Sequence, residues 1–172
     1  MSRTKKESIE MTISGLSVDP MNQMPFLILK DESGNVAIPI WIGMLEAGAI
    51  ATQLENITLA RPMTHDLLKN ILDQVGVVVE GVEICDLKDN TFFALIHLRM
   101  GEKILEVDAR PSDAIALALR AGAPIYVARE VVTQSRQVDL SSSEKGGQAT
   151  EKEKLAEMLE QMNGEDFGKY KQ

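Results

Sequence analysis

Residues 105–127 read LEVDARPSDAIALALRAGAPIYV, with Glu106, Asp108, Arg110 and Asp113 standing just ahead of a run of Ala, Ile and Leu. In an extended chain Glu106 and Asp108 are two apart, so their side chains leave the same face. Asp113 falls in the first turn of a helix that begins near Pro111, where the helix dipole favours an anion. Arg110 lies between them and offers a planar fork able to hold a carboxylate or a phosphate through two hydrogen bonds. A second Arg-Pro pair, Arg61-Pro62, runs ahead of His65 and Asp66. His65, in the first turn of its own helix, is the better placed of the two histidines to exchange protons near neutral pH. His97 sits in a strand pattern and reads as a half-buried structural side chain. The chemistry on offer is therefore that of carboxylates, guanidinium groups and one imidazole. Carboxylates that converge would bind Mg²⁺ or Mn²⁺ through oxygen, and such an ion would activate water and clamp a phosphodiester. The same residues also have a local reading, in which Asp113 is a helix-start residue and Arg110 its intramolecular partner. Other chemistries are absent: the chain holds no Gly-rich phosphate loop, no G-x-S-x-G, no CxxC and no HExxH.

The elements that must carry these residues are repeated in the sequence. With an offset of 67 residues, Met24–Glu55 falls on Thr91–Gly122 without a gap. Phe26 meets Phe93, Gly34 meets Gly101, and Ala47, Ala49 and Ala51 meet Ala114, Ala116 and Ala118. Glu46 meets Asp113. Each copy reads as strand, tight turn, strand and short helix, with a further strand ahead of it at Ile9–Val18 and Val77–Asp86. The repeat unit is β-β-β-α, and the predicted class is α+β, a mixed or antiparallel sheet packed with short helices. Equivalent positions in such units approach one axis, which would bring Glu46 and Asp113 together. Pro111, Ser112-Asp113 and the stop at Gly122 make AIALAL a helix despite its alternating sizes. Pro39 suits an edge strand. Between the copies Thr64–Val75 is predicted as a helix capped by Thr64, with Leu67, Leu68, Ile71, Leu72 and Val75 as its apolar stripe. A last strand is predicted at Ile125–Val131.

The predicted organisation is an unstructured stretch at 1–7, one domain at 8–132, a Ser-, Gly- and Gln-rich linker at 133–150, and an amphipathic helix and tail at 151–172. Leu155, Leu159 and Met162 form the stripe of that last helix, which must dock on its own domain, a dimer mate or a partner. Exposed Met21 and Met24, the strand with Pro39 and this helix together predict a homodimer. No apolar run approaches the roughly 18 residues of a membrane span, and the N-terminus lacks the order of a signal peptide. The single cysteine, Cys85, fits a reducing, cytoplasmic setting and reads as core filler. The chain carries 18 basic against 26 acidic side chains, net −8. Residues 1–132 alone hold 12 and 18, so the domain itself is acidic. One Trp, two Tyr and four Phe leave little for base stacking. Acidity and scarce aromatics disfavour a broad electrostatic grip on nucleic acid, so any such chemistry must rest on a small local site.

The blocks IPIWIGMLEAGAIA, RPMTHDLL and EVDARPSDAIALALRAGAPIYV resemble the signatures of the bifunctional nuclease family, the DNase-RNase domain proteins of bacteria, archaea and plants. The similarity runs over about Ile9–Val132, and EDFGKYKQ is similar to the tail of bacterial members. The UVR-type helical motif that follows the domain in some relatives is absent. What the resemblance implies is a compact, internally duplicated α+β domain that hydrolyses DNA and RNA, with nucleic acid as its substrate. It brings no agreed catalytic set, so the expected site is drawn from the charged members of the matching blocks. Asp108, Arg110, Asp113, Glu46 and His65 are the expected catalytic residues, and Arg61 and Arg110 the substrate-binding ones. Glu46, Asp108, Asp113 and Asp66 are the expected ligands of Mg²⁺ or Mn²⁺. The alternative is a non-enzymatic regulatory or assembly module in which the Arg-Pro-Ser-Asp block is helix-start architecture.

Overall fold

The β-prone runs and the two Ala-rich segments form a sheet with helices on one face. A computed structural model describes residues 7–20 and 22–135; Met21, most of the expected linker and the expected helix 151–162 lie outside the described residues. The described elements are β1 (Ser8–Val18), β2 (Pro25–Asp31), β3 (Ala37–Trp41), α1 (Met44–Leu54), α2 (Thr64–Gln74), β4 (Val77–Lys88), β5 (Thr91–Met100), β6 (Lys103–Ala109), α3 (Pro111–Ala121), β7 (Ile125–Ala128) and α4 (Arg129–Gln134). The order β-β-β-α thus occurs twice, and α1 and α3 stand 67 residues apart at both ends.

The sheet runs β3-β2-β1-β7-β4-β5-β6. Every neighbouring pair is antiparallel except β4 with β7, which makes the sheet mixed. β3, with Pro39, is one edge, where a residue without an N–H costs no ladder bond. β6 is the other. Gly101 (φ 61°) and Glu102 close the β5–β6 hairpin, and the left-handed backbone there is one that glycine takes without a Cβ penalty.

Leu27 and Leu29 of β2, Ile38 and Ile40 of β3, Val82 and Ile84 of β4, and Val127 of β7 are almost fully buried. They meet Ala47, Ile50 and Ala51 of α1 and Ala114, Ile115, Leu117 and Ala118 of α3, which are equally buried. Small side chains on both helices permit the close α1–α3 contact. Pro111 opens α3 at its first helical position. Gly122 (φ 63°) ends it, and the Ala123 N–H returns to the Ala118 carbonyl at 3.0 Å.

Two expectations are corrected. The N-cap of α2 is Met63, not Thr64: Asp66 Oδ2 accepts the Met63 backbone N–H at 2.8 Å, and Thr64 is already helical. The predicted strand Ile125–Val131 stops at Ala128, and α4 follows, burying Val131 and Val132 and running past residue 132. A four-residue strand suffices there because β7 is gripped on both sides, by β1 and β4. The apolar stripe of α2 does not enter the core: no residue of that helix is buried. Glu7, at the end of the stretch expected to be unstructured, accepts the Arg129 N–H at 3.0 Å through its carbonyl. Among the described residues no helix is long and apolar enough to cross a membrane.

Candidate functional site

Glu46 and Asp113 occupy matching places in α1 and α3, in the first turn of each helix. The residues ahead of the helices, Gly43 and Arg110, also match, and both have extended backbones. Their side chains make the site asymmetric. A Cβ at Gly43 would overlap Glu46 Oε2, so the missing side chain is what lets Glu46 fold back over its own helix start. Arg110 fills the corresponding space with a guanidinium that bridges α1 and α3. Its Nη1 donates to Glu46 Oε1 at 2.8 Å, its Nε to Asp113 Oδ2 at 2.7 Å and its Nη2 to Asp113 Oδ1 at 3.2 Å.

His65, in the first turn of α2, joins from a third element. Its Nε2 lies 3.1 Å from Asp113 Oδ1, and its side chain is only 13% exposed. Asp113 therefore does not cap its own helix: no side-chain cap hydrogen bond is made at the start of α3. Burial alone would push the Asp113 carboxyl up. The hydrogen bonds and charge of Arg110, with those of His65, outweigh it and hold the group below the usual carboxylate range. Arg110 is raised in return, chiefly by its hydrogen bonds with Asp113.

Asp66 faces the other way, to Arg120 of α3. Arg120 has a side chain only 6% exposed; its Nε donates to Asp66 Oδ1, and its Nη1 to the carbonyls of Ala49 (3.1 Å) and Ala116 (2.9 Å). One side chain thus ties α1, α2 and α3 together. Burial raises the Asp66 carboxyl, but the Met63 N–H and Arg120 bring it below its ordinary range. Neither Arg120 nor Gly43 was among the expected site residues. Arg120 had a signal, since it lies seven residues after Asp113 and so shares its helix face.

The structure brings together Glu46, Arg110, Asp113 and His65, with Asp66 one arginine away. It does not bring Asp108 to them. On β6, Val107 and Ala109 lie opposite buried Ile96 and Ala94, while Asp108 lies opposite Leu95, exposed on the other face of the sheet. Arg61 is exposed ahead of α2 and has no side-chain partner among the described residues. His97 is half-buried on that other face, with Glu83 at 3.5 Å and Glu106 at 3.8 Å. Cys85 is half-buried, its thiol 3.6 Å from the Phe93 carbonyl. The donor set does not fit a resident divalent ion. Glu46 and Asp113 turn their oxygens onto a guanidinium, and among the described residues no three His, Cys, Asp or Glu side chains converge as ligands.

An imidazole oriented by a carboxylate, beside an exposed guanidinium, can exchange a proton and stabilise an oxyanion. Comparison with known proteins gives the family. A model of the bifunctional nuclease domain matches residues 27–139. An uncharacterized protein of Mycobacterium tuberculosis is 35% identical over 162 residues, 92% of this chain and 97% of that protein. Bifunctional nuclease 2 of Arabidopsis thaliana is 30% identical over 105 residues, 59% of this chain and 32% of the plant protein. Bifunctional nuclease 1 of Oryza sativa subsp. japonica is 28% identical over 109 residues, 61% of this chain and 33% of that protein. The match therefore spans about a third of these plant relatives.

Proposed function

The chain belongs to the bifunctional nuclease domain family, and from that membership we propose that it hydrolyses phosphodiester bonds in DNA and RNA at the His65–Asp113–Arg110–Glu46 cluster. The observation that carries the reading is the 3.1 Å contact between His65 Nε2 and Asp113 Oδ1, with Arg110 on the same carboxylate. Asp113 accepts the Nε2 proton and so leaves Nδ1 as the basic nitrogen of His65. Nδ1 takes a proton from the attacking water as the new P–O bond forms, and returns it to the alkoxide that leaves phosphorus. Arg110, with its side chain 65% exposed, turns from Glu46 to the phosphate and offsets the charge that builds there. Arg61 adds a second cation for a flanking phosphate. No step is routed through a metal ion, because the carboxylates that would hold it hold Arg110. Asp108 has no part in this arrangement. The lone Cys85 supports a cytoplasmic setting.

The second reading, a non-enzymatic regulatory or assembly module, is favoured by one observation. Glu46, Asp66 and Asp113 against Arg110 and Arg120 leave the cluster at −1 with His65 neutral, inside a chain of −8. Labelled single-stranded DNA and RNA incubated with the purified full chain, with and without EDTA, discriminate between them. Cleavage of both substrates that survives EDTA and disappears in His65→Ala is expected. Equal cleavage by wild type and His65→Ala would assign the activity to a contaminant and leave the module reading. Cleavage that EDTA abolishes would keep the nuclease and overturn the side-chain mechanism.

A further inference from the structure

Helix α2 turns His65, Asp66, Lys69 and Leu72 inward and most of its large apolar side chains outward. His65, Asp66 and Lys69 lie on the half-buried side, where His65 and Asp66 bind Asp113 and Arg120 of α3. The opposite side carries Leu67, Leu68, Ile71 and Val75, exposed by 54, 40, 51 and 62%. A single exposed leucine needs no explanation. Four large apolar side chains in one row at spacings of three and four form a stripe, and an amphipathic helix normally buries its stripe. The rotation of α2 is fixed by the two polar links to α3, so the stripe is held outward.

The apolar surface continues onto the sheet. Val75 leads through Gly76 into Val77, which lies opposite Met100, itself 43% exposed. Leu105 and Val107 of the edge strand share that sheet face through their partners Leu98 and Ile96, and both are exposed.

We propose that this surface, centred on the α2 stripe, is where a second copy of the chain docks. The exposed area of these seven side chains is roughly 600 Å² per protomer, so a two-fold contact buries roughly 1,200 Å², the lower limit of stable interfaces before any polar rim is added. The α2 stripe itself holds no charged side chain, and on the sheet part of the patch Lys103, opposite Met100, stands at the rim. Two molecules of net −8 repel one another elsewhere, and a two-fold axis lets each uncharged stripe face the other. Strand-to-strand pairing through β6 is disfavoured by Lys103, Glu106 and Asp108, charges of the kind that protect sheet edges. The contact is therefore face to face across α2 and the adjoining strands, and it does not involve His65.

Sedimentation velocity of the full chain at micromolar concentration tests this. Wild type is expected at twice the 18.9 kDa chain mass, and high salt should not dissociate it. Ile71→Glu is expected to raise the dimer dissociation constant at least about 100-fold, because it places two charges at the centre of the contact. Its circular-dichroism spectrum should match that of wild type, since Ile71 is outside the core. Leu45→Glu, at a side chain 75% exposed on α1, is the control and should remain dimeric. A monomeric wild type overturns the proposal, as does an Ile71→Glu protein that stays dimeric. Monomeric wild type whose residues 64–75 lose hydrogen-exchange protection on removal of 136–172 would assign the stripe to the chain's own C-terminal segment instead.

Discussion

Asp113→Asn removes one charge from the centre of the cluster while keeping shape and one oxygen acceptor. Wild-type Asp113 accepts from Arg110 Nε at 2.7 Å, Arg110 Nη2 at 3.2 Å and His65 Nε2 at 3.1 Å, with its side chain 34% exposed. The Arg110 pair is open to solvent, which limits an ion pair to about 0–1 kcal/mol, and the Asn oxygen retains one of the three bonds. The expected loss is about 1 kcal/mol, or about 3 °C in thermal midpoint for a domain of this size. The effect on His65 is larger. An Asn amide turned toward Nε2 donates where Asp accepted, so the proton moves to Nδ1 and the basic nitrogen is lost. General-base catalysis of this kind is worth about 10² to 10⁴ in rate, and kcat should fall by that factor with KM little changed. The stability difference also has a pH window. Because the folded-state carboxyl sits below its ordinary range, its contribution is complete above about pH 4 and disappears as pH falls through the folded value. Wild type and variant should therefore differ in urea midpoint at pH 7 and converge in acid. A folded Asp113→Asn enzyme cleaving within about threefold of wild type would refute the tautomer argument.

Two further substitutions test the frame around the site. Arg120→Met removes a side chain that is 6% exposed and leaves Asp66 with only the Met63 N–H; the loss should be about 3–5 kcal/mol by urea unfolding, and Arg120→Lys should recover little, because one ammonium cannot span Asp66 and two carbonyls. A loss below about 1 kcal/mol for Arg120→Met would mean that the three helices are held by packing alone. Gly43→Ala forces the Glu46 carboxylate aside and should free Arg110 Nη1, seen as a shift of the Arg110 side-chain NMR resonance with a thermal midpoint within about 3 °C of wild type, since only a flexible chain end must move. An unchanged Arg110 resonance would show that Glu46 does not depend on the missing Cβ.

Much of this architecture was legible because its signals are local. Alternating apolar residues, Gly76, Pro111 and Gly122 marked the bounds of β1, β4, α2 and α3 within a residue or two. Glu46 and Asp113, aligned by the 67-residue offset, lie in the first turns of α1 and α3 and both bind Arg110. What periodicity could not supply was direction. The stripe at Leu67, Leu68, Ile71, Leu72 and Val75 is a correct helix signal, yet all of it but half-buried Leu72 points to solvent, because His65 and Asp66 claim the inner side of α2. Asp108 was grouped with Asp113 by nearness in sequence, but Arg110 and Pro111 intervene, and strand alternation sends Asp108 to the opposite face of the sheet. Val131 read as strand because a buried β-branched residue carries no mark of the helix that α4 forms.

Arg110 and Arg120 share a ten-residue span, and both pair with carboxylates, but burial gives them different physical roles. Arg120 is dry, so its bonds to Asp66, Ala49 and Ala116 would leave unpaired polar groups if broken, and no incoming ligand can compete for it. Arg110 is wet. Its contacts with Glu46 and Asp113 are worth little net in water, so a phosphate that offers two oxygens to the same fork can displace one carboxylate at small cost. An acidic chain can in this way keep a phosphate-binding cation in waiting without carrying a basic face. Turning Arg110 away leaves Asp113 with His65 and Glu46 facing solvent, which is the arrangement the proposed proton transfer requires. Two helix starts, one preceded by Gly43 and the other by Arg110, are sufficient to produce it.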